Sequence, residues 1–184
     1  MQMTHSTDNT RKKPPAGILE IEQVVKSYRD ERSLFKRQAA RITALNGVSL
    51  TIQKGEVFGL VGASGSGKTT LGRLVLKLEP YDSGAIRFQG GATRTLKGNA
   101  LKAFRRKVQL IPQDPYQSLN PYLSVFDTVA EPLIIHKIGN SQSRKAAAAD
   151  CLAAAGLTPP EDYFQRYPHQ LSGGERQRAA IARA

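Results

Sequence analysis

Among 184 residues there is one cysteine, Cys151. No internal disulfide can form, and a catalytic thiol would need a basic partner that no motif supplies. The expectation is a buried, reduced thiol in a cytosolic protein. Long apolar runs are missing too: none approaches the ~18 residues that cross a bilayer. Residues 1–15 are polar, with Arg11-Lys12-Lys13 followed by Pro14-Pro15. No apolar stretch stands behind those charges, so they do not read as a signal peptide. Membrane association would then come through a partner. Acidic residues are scarce in the middle of the chain. Residues 62–110 carry ten basic and two acidic side chains, while residues 111–184 carry seven of each, within a net charge of +12. A basic middle suits nucleic acid or anionic lipid; it equally suits a segment that handles phosphates and has a solvated basic face. The second reading is simpler, because no aromatic residues are interleaved as a base-stacking platform requires.

What is present is ordinary globular composition, 40% hydrophobic and 23% charged, in a length that suits one domain. Alternation in Ile18-Leu19-Glu20-Ile21-Glu22-Gln23-Val24-Val25 predicts a strand. Residues 42–52 read as a second strand, closed by a turn at Gln53-Lys54-Gly55-Glu56. The apolar run Val57-Phe58-Gly59-Leu60-Val61 predicts a strand buried on both faces, as in a parallel sheet. Leu71, Leu74, Val75 and Leu78 recur at helical spacing, and residues 80–84 end that helix. Residues 85–89 read as a strand, 101–107 as a short basic helix and 108–112 as another buried strand. Helices are expected over 124–138 and 143–156, the latter stopped by Gly156, and again after the glycines at 173–174.

Between the apolar run and the first helix lies Gly62-Ala63-Ser64-Gly65-Ser66-Gly67-Lys68-Thr69, a match to G-x-x-x-x-G-K-[ST], followed by Thr70. Glycines let the backbone turn tightly and aim successive N–H groups inward, and the helix N-terminus behind them favours anions. Lys68 would bridge the β- and γ-phosphates of ATP, and the Thr69 hydroxyl would ligate Mg²⁺. About a hundred residues on, Leu171-Ser172-Gly173-Gly174-Glu175 places a good N-cap, Ser172, before a helix mouth left open by two glycines. Taken alone this is as well read as a plain helix cap.

Together the two glycine motifs make the chain resemble the ATP-binding cassette (ABC) transporter ATPases, whose signature is L-S-G-G-[QE]; the resemblance runs from about Ile18 to the last residue, Ala184. It implies an α/β fold: a P-loop NTPase core with an N-terminal antiparallel β subdomain and an inserted helical subdomain. The corresponding division is a polar tail over 1–17, a nucleotide-binding core over 18–112, a Q-loop and helical subdomain over 113–170, and the signature with the start of its helix over 171–184. The resemblance further implies head-to-tail pairing with a second ATPase subunit, identical or related. Ser172, Gly173 and Gly174 would then meet the γ-phosphate held by the partner, with Glu175 completing the signature that acts in trans. Gln113 matches the Q-loop glutamine that touches Mg²⁺ or the attacking water, although an ordinary polar loop residue fits as well. Tyr28 matches the aromatic that stacks on adenine, against the alternative of a strand-end tyrosine packing locally.

A finer likeness lies in Gln113-Asp114-Pro115-Tyr116-Gln117-Ser118-Leu119-Asn120-Pro121 and in the insert bearing Leu34-Phe35-Lys36-Arg37. Both resemble the dipeptide/oligopeptide and nickel importer branch. That implies permease subunits as membrane partners, an extracytoplasmic solute-binding protein as an indirect one, no direct nucleic acid, and a place on the cytoplasmic face of the inner or plasma membrane. The family's next elements are a strand ending in an Mg²⁺-binding Asp, a water-activating Glu, a D-loop and a histidine near the γ-phosphate. The resemblance puts them after Ala184, so the general base would lie beyond that residue and the catalytic set is incomplete, with Gln113 in a supporting role. His5, His136 and His169 do not fill the place of the last histidine. The expectation is a C-terminally truncated fragment that folds poorly alone, exposes residues 57–61 and binds ATP without a complete catalytic base. A soluble ABC ATPase acting on nucleic acid or ribosomes is the competing reading, although no coiled-coil insertion separates the two motifs. A module that holds ATP without hydrolysing it is a third.

Overall fold

The computed structural model describes residues 17–29, 41–113 and 119–184. The insert with Leu34–Arg37, residues 114–118 of the finer motif, the polar tail and His5 lie outside them. The chain divides into two compact units, residues 1–96 and 97–184. The helix that follows Leu96 therefore groups with the helical second unit, whereas the family resemblance implies a boundary at 112/113.

The first unit is built on a four-stranded antiparallel sheet, in the order β2-β1-β3-β4. Strand β1 (Leu19–Arg29) lies centrally, with Leu19 opposite Ile52 of β2 (Arg41–Ile52) and opposite Phe88 of β3 (Ser83–Phe88). A two-residue strand β4 (Gly91–Ala92) closes the edge. The register of β1 slips on both sides at residues 22–25, where Gln23 takes φ 45° and donates its backbone and side-chain N–H groups to Ser49 Oγ at 2.9 and 2.8 Å. Such a bulge bends and twists the strand. Helix α1 (Lys68–Val75) buries Leu71 and Leu74 with Ile21, Val24, Leu45, Tyr81 and Ile86. Its pattern is the predicted one, apolar at three- and four-residue steps.

The second unit is helical: α2 (Gly98–Lys107), α3 (Val125–Ile135), α4 (Ser141–Ala154), α5 (Glu161–Phe164), a 3₁₀ turn (Pro168–Gln170) and α6 (Gly173–Arg183). Helices α3, α4 and α6 meet around Val125, Val129, Ala148, Leu152, Leu157, Ala179 and Ala180. Asn140 and Ser143 form a reciprocal capping box that starts α4, and alanines carry it onward. Ala184 is the C-cap of α6, its N–H donating to the Ile181 carbonyl at 3.1 Å.

Three expectations are corrected. Residues 57–61 form no strand, and Val57 and Val61 are 99% and 91% exposed. Residues 108–112 form none either, with Leu110 and Ile111 exposed. A continuous apolar run is a buried strand only when neighbours pair with both edges and other layers cover both faces; among the described residues no strand pairs with either run. Cys151, expected inside, is exposed. It follows Ala148 on α4 by three residues, but Ala148 and Leu152 take the inward positions. Among the described residues no helix is long and apolar enough to cross a membrane.

Candidate nucleotide site

The first unit sets a glycine loop at the mouth of α1. Gly65 and Gly67 adopt φ 79° and 89°, in the left-handed region that side chains disfavour. Gly67 has a second constraint: a Cβ there would lie 2.6 Å from the Ala44 carbonyl oxygen and 2.7 Å from Leu45 Cδ2. The loop thus sits directly against β2. Gly67 is also the N-cap of α1, with no side chain capping the helix and no acidic residue in its first turn. The first N–H groups stay open toward an anion, reinforced by the helix dipole.

Lys68 turns its ammonium back over the loop. Nζ donates to the Gly62 and Ala63 carbonyls, both at 2.7 Å, and to Ser66 Oγ at 3.3 Å, while Ser66 N–H closes a turn on the Ala63 carbonyl at 3.2 Å. A cation held above open N–H groups makes a compact positive cradle. Ser64 and Thr69 are exposed beside it. A hydroxyl on that rim offers the oxygen a hard cation such as Mg²⁺ takes.

Tyr28 stands near the end of β1 and reaches the same helix. Its hydroxyl donates to Glu79 Oε2 at 2.5 Å and is in hydrogen-bonding contact with the Thr70 side chain, one residue past Thr69. Glu79 Oε1 accepts from Arg73 of α1 at 3.1 Å. The hydrogen bond to Glu79, then burial, raises the phenol above its ordinary range, so it remains a donor at neutral pH. Lys26 Nζ lies 5.0 Å from the ring centroid. Sequence reasoning missed Glu79, Arg73 and Lys26 here. Their spacings of six and more residues match no local motif, and only the sheet brings β1 to the end of α1.

In the second unit Ser172 caps α6. Its Oγ accepts from Glu175 N–H at 3.3 Å, its own N–H donates to Glu175 Oε2 at 2.7 Å, and the Tyr163 hydroxyl donates to Glu175 Oε1 at 3.3 Å. The Ser172 hydroxyl and N–H hold the Glu175 carboxyl below the usual carboxylate range. Gly173 and Gly174 are exposed at the helix mouth, with nothing near a Cβ built on Gly173. Gln113 is exposed. His169 stacks on Tyr167 at 5.8 Å, which is local packing, and His136 caps α3. Ala184 stands exposed at the opposite end of α6 from the serine-glycine mouth, and its methyl side chain takes no part in proton transfer.

A lysine-closed glycine loop opening a helix, with a serine-glycine-glycine helix mouth on a second unit, has the makings of a P-loop nucleotide-binding module. The chain belongs to the ABC transporter family, whose model matches residues 45–184. It is 50% identical over 150 residues to the oligopeptide transport ATP-binding protein OppF of Streptococcus mutans, covering 81% of this chain and 48% of that protein. The dipeptide transport ATP-binding protein DppF of Lactococcus lactis is 44% identical over 172 residues, covering 91% of this chain and 54% of its own length. The glutathione import ATP-binding protein GsiA of Pectobacterium atrosepticum is 41% identical over 167 residues, covering 91% and 26%. The chain therefore spans about half the length of the first two and about a quarter of the third. Its fold is that of an ABC cassette: the post-hydrolysis dimer of the ATP-binding cassette MJ0796, bound to ADP and Pi, superposes with a TM-score of 0.75 at 33% identity, covering 90% of this chain and 68% of that one.

Proposed function

We propose that this chain is the nucleotide-binding part of an ATPase subunit that energises an ABC importer, with peptides as the cargo class. The observation that carries the reading is the positive cradle of residues 62–69, with Lys68 held over its own loop carbonyls at the uncapped mouth of α1. An ATP triphosphate entering it exchanges those carbonyls for phosphate oxygens as partners of Lys68 and meets the open N–H groups of the loop. Gly62, Ala63, Ser64, Gly65, Ser66 and Gly67 line the phosphates, and Thr70 supports the base side through Tyr28. Mg²⁺ supplies charge neutralisation when bound, and Thr69 is the residue of the first unit that would hold it; Gln113 enters as an Mg²⁺ contact only through the family resemblance.

Ser172, Gly173 and Gly174 act on a nucleotide held by a second ATPase subunit, because a helix mouth that exposes N–H groups outward is an anion site for whatever docks against it. Glu175 fixes that mouth through its bonds to Ser172. Permease subunits carry the assembly at the cytoplasmic side of the membrane, and a solute-binding protein stands upstream of them. The relatives' names, for oligopeptide and dipeptide transport and glutathione import, support a peptide cargo.

Calorimetric titration with Mg-ATP tests the central assignment. The chain should bind, and Lys68→Ala should lose at least about tenfold in affinity, the scale of one charge-assisted contact. Unchanged affinity in that variant refutes the phosphate-loop reading. Co-purification with a permease pair from membranes tests the transporter assignment separately.

A further inference from the structure

We propose that Glu79 is a positioning residue for the nucleobase: it clamps Tyr28 so that the ring face turned away from Lys26 is presented at a fixed place relative to the phosphate loop. This rests on the reading that Tyr28 receives the base. The phenol is tied at its tip to Glu79 at 2.5 Å, and Glu79 is tied to Arg73 of α1 at 3.1 Å. Helix α1 is the element that opens with Lys68 and Thr69. Base site and phosphate site are therefore joined through two hydrogen bonds and one helix.

The turn that carries Glu79 is itself anchored on both sides. Upstream, Lys77 takes φ 53° and donates Nζ to the Thr93, Arg94 and Leu96 carbonyls at 2.7, 2.8 and 2.7 Å. Downstream, Pro80 restricts the Glu79 backbone to extended conformations, and its carbonyl accepts from Lys26 Nζ at 2.8 Å. The same Lys26 ammonium lies over one face of the Tyr28 ring. With its tip and one face engaged, and 37% of the residue exposed, the ring's other face is the one left, among the described residues, for a base. A stacking platform already held in its bound orientation loses less freedom on binding.

Titrations with Mg-ATP and with Mg-tripolyphosphate, which has no base, separate the two sites. Tyr28→Ala should weaken ATP about tenfold, the scale of one base stacked on an aromatic ring. Tyr28→Phe, which keeps the ring and loses the tether, and Glu79→Ala should each weaken ATP by about threefold to tenfold. Glu79→Gln, which keeps an oxygen for the phenol, should recover most of the loss seen in Glu79→Ala. Tripolyphosphate should bind all four as it binds the unaltered chain. If Tyr28→Phe and Glu79→Ala bind ATP normally while Tyr28→Ala does not, the clamp is wrong and stacking stands. Normal ATP binding by Tyr28→Ala removes the stacking reading, and the clamp with it. Equal losses for ATP and tripolyphosphate in Glu79→Ala make Glu79 a general structural residue and overturn the proposal.

Discussion

Replacing Gly67 by alanine puts two separable loads on the phosphate loop. The first is conformational: φ 89° is left-handed, and an L-residue there costs about 1–2 kcal/mol. The second is steric. The new Cβ would sit 2.6 Å from the Ala44 carbonyl oxygen and 2.7 Å from Leu45 Cδ2. Leu45 is a side-chain end and can turn. Ala44 is backbone inside β2, between Thr43 and Leu45, which are in register with Ser27 and Lys26 of β1. The sheet therefore cannot yield, and α1 must lift from it, loosening Leu71 and Leu74 from the core they share with Leu45. Overpacking of this kind costs about 1–3 kcal/mol. Gly65→Ala is the matched control, because φ is 79° there and nothing lies within 4 Å of the added Cβ. Urea denaturation without nucleotide, followed by circular dichroism, should show Gly65→Ala losing about 1–2 kcal/mol and Gly67→Ala about 2–5 kcal/mol. At an m-value of about 2 kcal/mol/M the second midpoint falls below the first by about 0.5–1.5 M. Coincident midpoints would refute the close approach of loop and strand.

Further outcomes follow from the same geometry. Ser172→Ala removes the cap of α6 and should cost about 1 kcal/mol, read in the same denaturation assay. Because Ser172 holds the Glu175 carboxyl low, that pair's contribution is fully present above the ordinary carboxylate range and is lost as pH falls through the depressed folded value; a pH series of midpoints should show this acid loss in the unaltered chain and a smaller one in Ser172→Ala. Cys151 should react fully with a thiol reagent in the native protein, without denaturant, as an exposed thiol does. Val57→Ala should change stability by less than about 0.5 kcal/mol, whereas Leu74→Ala should cost about 2–5 kcal/mol, since one side chain is solvated and the other buried.

The elements with strong local signals stand where the sequence put them. Helix α1 carries an apolar stripe, α4 an alanine-rich body stopped by Gly156, and α6 a serine cap before two glycines. Each signal lies within about four residues, the range over which helix and cap chemistry acts. The runs at 57–61 and 108–112 misled because apolar content reports what a segment would bury, and burial depends on layers far away in the chain. Cys151 misled for a related reason: residue type sets a tendency, but the face of α4 turned inward is chosen by packing against α3 and α6. The short α5 and the 3₁₀ turn before α6 had no periodicity long enough to read.

By itself the sequence determined the local conformations on which the proposed anion site rests. Glycines at 62, 65 and 67, a lysine and a threonine in fixed order, and a serine before two glycines specify backbone conformations and donors that need only their neighbours in the chain. Tertiary structure decided everything that joins distant segments. It brought Ala44 against Gly67 and Tyr28 against Glu79, and it left 57–61 in solvent. The physical reason is range: capping, turn and dipole effects act within a helical turn, whereas contacts between a strand and the far end of a helix exist only once the sheet has paired.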